Sequence, residues 1–308
     1  MSYTGTVLRS TGSWYDVAVQ KDGESDMIQC RLPGRFRLEE QEVTNPIAAG
    51  DKVDISLNED ETGSIQSIHK RKNYITRKAT HGRRGEQILA ANIDRAWCVQ
   101  SVKRPKLKTG FIDRFLVTCE AYEVPGGLII NKTDLIRSNS EKYTRYVVNM
   151  YEELGYPVLC TSIHNDSTLR DLATHLQSLT SVLIGPSGVG KTSLLNAIDP
   201  SLGLRVGEIS SYSKKGKHTT TYAEMIELSC GGYILDTPGI REFGLVNISK
   251  PELYLFFPEM IEPAQHCKYY NCTHSHEPKC GVVEAFKEGK IEASRYDSYL
   301  NILESLKN

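Results

Sequence analysis

The chain has 308 residues, 39% of them hydrophobic and 24% charged, with a formal net charge of -1 at pH 7. That balance fits a globular, soluble protein of two or three domains with real cores and excludes a disordered or fibrous chain. No apolar run approaches the roughly 18 to 20 residues that cross a bilayer, and Met1-Ser2-Tyr3-Thr4-Gly5 lacks the basic-then-apolar pattern of a signal peptide, so a cytoplasmic protein without a membrane partner is expected.

In chain order, apolar residues alternate or cluster over 4–9, 14–20, 27–32, 52–57 and 64–69. Turn signals separate them: Gly12-Ser13, Lys21-Asp22-Gly23-Glu24, Pro33-Gly34, Gly50-Asp51 and the polar run ending at Gly63. Five short strands make a small β-barrel, expected as an OB-fold of the kind that often binds RNA, with an SH3-like barrel as the alternative. From about residue 88 strands alternate with helices, the pattern of a largely parallel sheet covered on its faces. Strands are expected at 93–102, 127–130, 157–160, 180–184 and 232–235, with an extended stretch at 223–228 and helices near 110–123, 141–154, 167–178 and 193–198. Beyond about residue 242 the pattern becomes helical, over 253–260, 282–287 and 291–306. Three domains follow: 1–70 a barrel, 71–243 an α/β nucleotide domain, and 244–308 a small α-helical, metal-binding domain.

Charge is unevenly spread. Lys70-Arg71-Lys72, Arg77, Lys78, Arg83 and Arg84 precede any acid until Glu86, Lys103-Arg104-Pro105-Lys106-Leu107-Lys108 follows, and Lys214-Lys215-Gly216-Lys217 makes a third run. One such run is an ordinary solvated surface; three in a nearly neutral chain point to a polyanionic partner.

Gly185-Pro186-Ser187-Gly188-Val189-Gly190-Lys191-Thr192, followed by Ser193, lies between an apolar strand and a helical run. In such a phosphate loop glycines let backbone N–H groups face phosphate oxygens, Lys191 neutralises the outer phosphates and the Thr192 hydroxyl ligates magnesium. Asp236-Thr237-Pro238-Gly239 follows the strand 232–235: Asp236 can hold magnesium through water and the Gly239 N–H can touch the γ-phosphate. Asn131-Lys132-Thr133-Asp134 follows the strand 127–130, where a parallel sheet presents ligand groups. A carboxylate at Asp134 can accept from the guanine ring N–H and exocyclic amine, a pattern adenine lacks. Lys132 can cover the base plane, and Asn131 can tie its loop to the phosphate loop. Thr161-Ser162 stands where a further loop would touch the guanine carbonyl. This guanine tetrad precedes the phosphate loop, although ordinary GTPases place the phosphate loop first.

Between phosphate loop and Asp236 lies Lys217-His218-Thr219-Thr220-Thr221, whose threonines can complete a magnesium shell when γ-phosphate is present; Thr220 is the choice, Thr219 the second. Ile240 follows Gly239 where many GTPases place a water-orienting Gln, and His218 is the nearest replacement by sequence. Among eight cysteines, Cys267-x4-Cys272-x-His274-x5-Cys280 supplies three thiolates and an imidazole, the composition of a closed structural zinc site. His266 and His276 compete in principle. The other five cysteines have no ligand spacing and are expected to be buried.

Taken together in that order, these motifs resemble the ribosome small-subunit-dependent GTPase A family essentially end to end. The resemblance implies an OB-fold, a circularly permuted P-loop GTPase domain and a zinc domain. It also implies GTP hydrolysis to GDP stimulated by the small ribosomal subunit late in its assembly, contact with ribosomal RNA, and a catalytic His218. A monomer is expected. The chain departs from the family at Thr192, often Ser, and at Lys217, often Arg, where charge is kept but bidentate geometry is lost. An RNA-binding scaffold in which GTP only orders loops is the alternative.

Overall fold

The computed structural model describes residues 2–21, 23–33, 46–78, 86–205, 223–236 and 248–306. They form two compact units, one of Met1–Ala96, Leu169–Ile184 and Lys191–Glu242, the other of Trp97–Thr168, Gly185–Gly190 and Phe243–Asn308. No helix among the described residues is long and apolar enough to cross a membrane.

Within the first unit, β1 (Ser2–Ser10), β2 (Tyr15–Lys21), β3 (Glu24–Arg31), β4 (Lys52–Leu57) and β5 (Gly63–Ile68) close a barrel. Neighbours run β1-β2-β3-β5-β4 and back to β1, antiparallel except for the parallel β3 and β5 at Cys30↔Gly63. That circuit decides for the OB-fold. The period-two pattern explains it: Tyr15, Val17 and Val19 of β2 point inward onto Val7, Ile28, Val53, Ile55 and Ile65. Each fully buried aliphatic chain contributes about 1.5–3 kcal/mol. Asp54 on β4 accepts from the Thr4 hydroxyl on β1 at 2.8 Å and, through its other oxygen, from Ser67 of β5 at 2.6 Å.

Two strands went unpredicted. β6 (Tyr74–Lys78) and β7 (Glu86–Ala91) pair antiparallel, and the Ala91 N–H bonds Ala49 O at 2.9 Å. Arg71 joins Asp51 at 2.7 and 2.8 Å, with the Asp51 carboxylate fully buried, so this member of the first basic run serves the fold. The rest of the unit carries β11 (Thr180–Ile184), β12 (Glu224–Glu227) and β13 (Tyr233–Asp236), in the order β11-β13-β12-β1. β11 and β13 are parallel, so Ile184 and Asp236 leave the sheet at the same edge.

The second unit holds most of β8 (Arg95–Ser101), with β9 (Gly126–Asn131) and β10 (Val158–Cys160), in the order β10-β9-β8. Helices α1 (Thr109–Ala121) and α2 (Ser138–Glu153) follow β8 and β9. α2 starts three residues before its expected position, where the Arg137 N–H donates to Ser140 Oγ at 3.0 Å. α3 (Asp166–Leu176) and α4 (Lys191–Ile198) flank β11 in the chain. The carboxy-terminal part has a 3-10 segment Lys250–Phe256 and helices α5 (Pro258–Ala264), α6 (Gly281–Lys287) and α7 (Ala293–Ser305). The single helix expected over 253–260 is thus two short ones, divided at Phe257-Pro258, because proline disfavours helical geometry in the residue before it. Leu253, Phe257, Met260, Val282, Tyr299 and Ile302 form their core together with Val117 of α1. Of the five cysteines expected to be buried, Cys30, Cys98 and Cys119 are; Cys160, at the end of edge strand β10, is exposed, and Cys230, on the turn before β13, is half-buried.

Candidate functional site

The second unit brings the guanine tetrad, Thr161-Ser162 and Gly185–Gly190 of the phosphate loop together. Asn131 ends β9 and is buried; its amide donates to Val189 O at 2.9 Å and its carbonyl accepts from the Thr161 hydroxyl at 3.1 Å. Lys132 adopts φ 62°, a left-handed turn that sends its side chain back along the loop. Its ammonium donates to Arg104 O at 2.6 Å and to Gly188 O. The base-reading loop and the phosphate loop are therefore joined by Asn131 and Lys132. Thr133 completes the frame, its N–H and hydroxyl both donating to Thr161 O at 3.1 Å.

Asp134 projects into solvent, and Ser162 Oγ donates to its Oδ1 at 2.6 Å. That bond fixes the carboxylate while leaving acceptor capacity for two guanine donors. Thr161 and Ser162, in the loop expected to touch the guanine carbonyl, hold Asn131 and Asp134. The Arg104 carbonyl on Lys132 was not anticipated, because a backbone acceptor carries no side-chain signature.

Glycine is dictated by space in the phosphate loop. A side chain at Gly185 would strike the Val99 carbonyl, and one at Gly190 the Asn131 amide, where φ is also +100°. Pro186 is half-buried, Ser187 and Gly188 are exposed, and Val189 is buried as the anchor.

In the first unit, Lys191 and Thr192 open α4 and are 6% and 5% exposed, with Ser193 half-buried after them. Asp236 ends β13. Gly239, His218, Thr219 and Thr220 lie outside the described residues, as do Lys214-Lys215-Gly216-Lys217, Arg83 and Arg84. Lys103, Arg104, Lys106 and Lys108 are exposed, and Lys72 is 3.4 Å from Asp94.

The metal set assembles as the spacing predicts. One ligand atom each from Cys267, Cys272, His274 and Cys280 lies within 4.8 Å of all the others. Cys267 Sγ and Cys280 Sγ are 3.8 Å apart, and His274 Nδ1 is 3.4 Å from each. A tetrahedral zinc with ordinary bond lengths requires about 3.8 Å between sulfurs and about 3.5 Å between sulfur and nitrogen, so the donor set fits the ion. His274 lies edge-on to Tyr254, with centroids 4.9 Å apart, and its carbonyl accepts from the Tyr296 hydroxyl at 2.8 Å. His266 is held by Glu262 at 3.0 Å and His276 is exposed, so neither belongs to the cluster.

Residues 68–246 match the family model described as RsgA GTPase, and 4–65 match the RsgA N-terminal domain. The small ribosomal subunit biogenesis GTPase RsgA of Phocaeicola vulgatus is 45% identical over 300 residues, 97% of this chain and 96% of that one. Its namesake in Flavobacterium johnsoniae is 43% identical over 304 residues, 98% of this chain and 93% of that one. Among solved structures, YjeQ from Thermotoga maritima superposes with a TM-score of 0.82 at 32% identity, covering 99% of both chains. YloQ, a circularly permuted GTPase, does so with a TM-score of 0.78 at 30% identity, covering 99% of this chain and 95% of that one.

Proposed function

The chain belongs to the RsgA GTPase family, and on that premise we propose that it hydrolyses GTP in late maturation of the small ribosomal subunit, stimulated by the subunit itself. The chain is a GTP hydrolase, and relatives spanning nearly its whole length are named for small-subunit biogenesis. The observation that carries the nucleotide reading is the Asn131 amide on Val189 O beside the Ser162-held carboxylate of Asp134, one frame for base and phosphate.

Lys191 and the amides of the phosphate loop hold phosphate, Thr192 and Thr220 ligate magnesium with Asp236 nearby, Gly239 senses the γ-phosphate and His218 positions water. For His218, Thr220 and Gly239 this reading rests on sequence position. Cys267, Cys272, His274 and Cys280 hold a structural zinc, which supplies a four-way cross-link and no open coordination site. Contact with ribosomal RNA, a monomeric state, a cytoplasmic location and domains at 1–70, 71–243 and 244–308 complete the proposal. Family models spanning 4–65 and 68–246 support that division. The scaffold reading, in which turnover is incidental, is not favoured in a family of GTPases.

GTP turnover by the purified protein, with and without small subunits, tests the proposal. Stimulation by subunits is expected, and its absence would remove the ribosomal half; equal affinity for ATP and GTP would remove the guanine half.

A further inference from the structure

The metal-ligand loop has an outer edge that its own packing does not use. Tyr270, between the ligands Cys267 and Cys272, is 103% exposed relative to an extended reference, and Tyr269 beside it is 39% exposed. Single exposed aromatics are ordinary on protein surfaces. This pair differs because its backbone is tied down on both sides. The Cys272 N–H donates to Tyr269 O at 3.3 Å, and the Lys268 N–H joins the loop's other arm at Lys279 O, at 3.1 Å. The Tyr299 hydroxyl donates to Thr273 O at 2.8 Å, so a core helix fixes the loop from beneath.

Charge on this edge has one sign. Lys268 and Lys279 are exposed, and Lys268 Nζ sits 5.2 Å from the Tyr269 ring centroid. The one carboxylate in residues 265–280 is Glu277, which turns inward. It accepts from the Thr273 N–H at 2.7 Å, the Thr273 hydroxyl at 2.6 Å, and the N–H groups of Ser275 and His276 at 3.1 and 3.2 Å. Burial pushes its carboxyl up, and those bonds overcome that to hold it at about 2, so it stays ionised with its charge directed onto donors inside the loop instead of onto the two lysines.

We propose that Tyr269 and Tyr270, flanked by Lys268 and Lys279, form a stacking platform for unpaired RNA bases, with the lysines meeting the adjoining phosphates. Aromatic faces take any base, and the cations supply the phosphate term, the combination by which single-stranded RNA is bound. The two flanking lysines favour a polyanion over an apolar docking helix, whose recognition rests on aliphatic anchors. This rests on the small-subunit reading and narrows it to one loop and one chemical class of contact.

Binding of the full-length protein to small subunits, and to a single-stranded oligoribonucleotide and its duplex as probes, tests it. Tyr270→Ala should weaken subunit and single-strand binding roughly 5- to 150-fold, the range for one lost stacked base, whereas Tyr270→Phe keeps it. Lys268→Ala should reduce the salt slope by about one. Because the Tyr270 ring is fully exposed, neither variant at 270 disturbs folding, and GTP turnover without subunits stays unchanged. Wild-type binding by Tyr270→Ala, equal loss in Tyr270→Phe, equal affinity for duplex, or a photocrosslink from position 270 to subunit protein instead of RNA would each overturn the proposal. Stimulation of the wild-type chain by subunits, measured alongside, separates this failure from failure of the subunit reading.

Discussion

One short hydrogen bond from Ser162 fixes the exposed carboxylate of Asp134, as its proposed part in reading guanine requires. Asp134→Asn replaces one acceptor by a donor, which repels the guanine amine and accommodates the carbonyl that xanthine carries there. GTP affinity should fall about 100-fold, from one lost bond and one that is no longer charge-assisted, and xanthosine triphosphate should bind in its place, as a fluorescent-nucleotide titration would read. Ser162→Ala leaves the carboxylate intact but free to rotate, so affinity should drop about tenfold with turnover at saturating GTP unchanged. The tetrad itself was legible in sequence because each position names its chemistry. Ser162 was visible only as a residue near the base, and its bond to Asp134 spans 28 positions. Neither serine nor a backbone carbonyl such as that of Arg104 announces its partner.

Between elements, the join of α1 to α7 rests on a buried ionic cluster. Arg295 Nη1 donates to Asp113 at 2.8 Å and its Nε to Glu259 at 2.6 Å, while Ser298 and Tyr151 donate to the same Asp113. Burial pushes the Asp113 carboxyl up, against the pull of Arg295. Arg295→Met strands two buried carboxylates and should lower stability by about 3–5 kcal/mol in urea unfolding. Asp113 and Arg295 lie 182 positions apart, and in sequence each reads as an ordinary surface charge. In the barrel, bonds from Ser67, His69 and Thr4 lower the Asp54 carboxyl from 3.8 to about 2. A depressed carboxylate stabilises the fold above its unfolded value and loses that effect as pH falls toward its folded one. The urea midpoint should therefore decline between pH 3.8 and about 2, and Asp54→Asn should flatten that decline. Barrel strands were legible because Tyr15, Val17 and Val19 alternate cleanly. The pair β6 and β7 was not, because Arg77, Lys78 and the basic residues after them read as a solvated charge run.

For the molecule as a whole, a metal held by the Cys267, Cys272, His274 and Cys280 set would take the place of apolar area that a small helical segment lacks. Cys272 and Cys280 belong to the same core as Leu253, Phe257 and Tyr299. Chelation, or Cys280→Ser, should release hydrogen-exchange protection across residues 253–303 while barrel amides stay protected. Retained protection in residues 253–303 after complete metal removal would show that the core stands without its cross-link. The Lys132 ammonium, held by the carbonyls of Arg104 and Gly188, has a kinetic consequence. The proposed base-reading frame is ordered during folding, so an arriving nucleotide immobilises little chain, and association should be fast without waiting on a loop rearrangement.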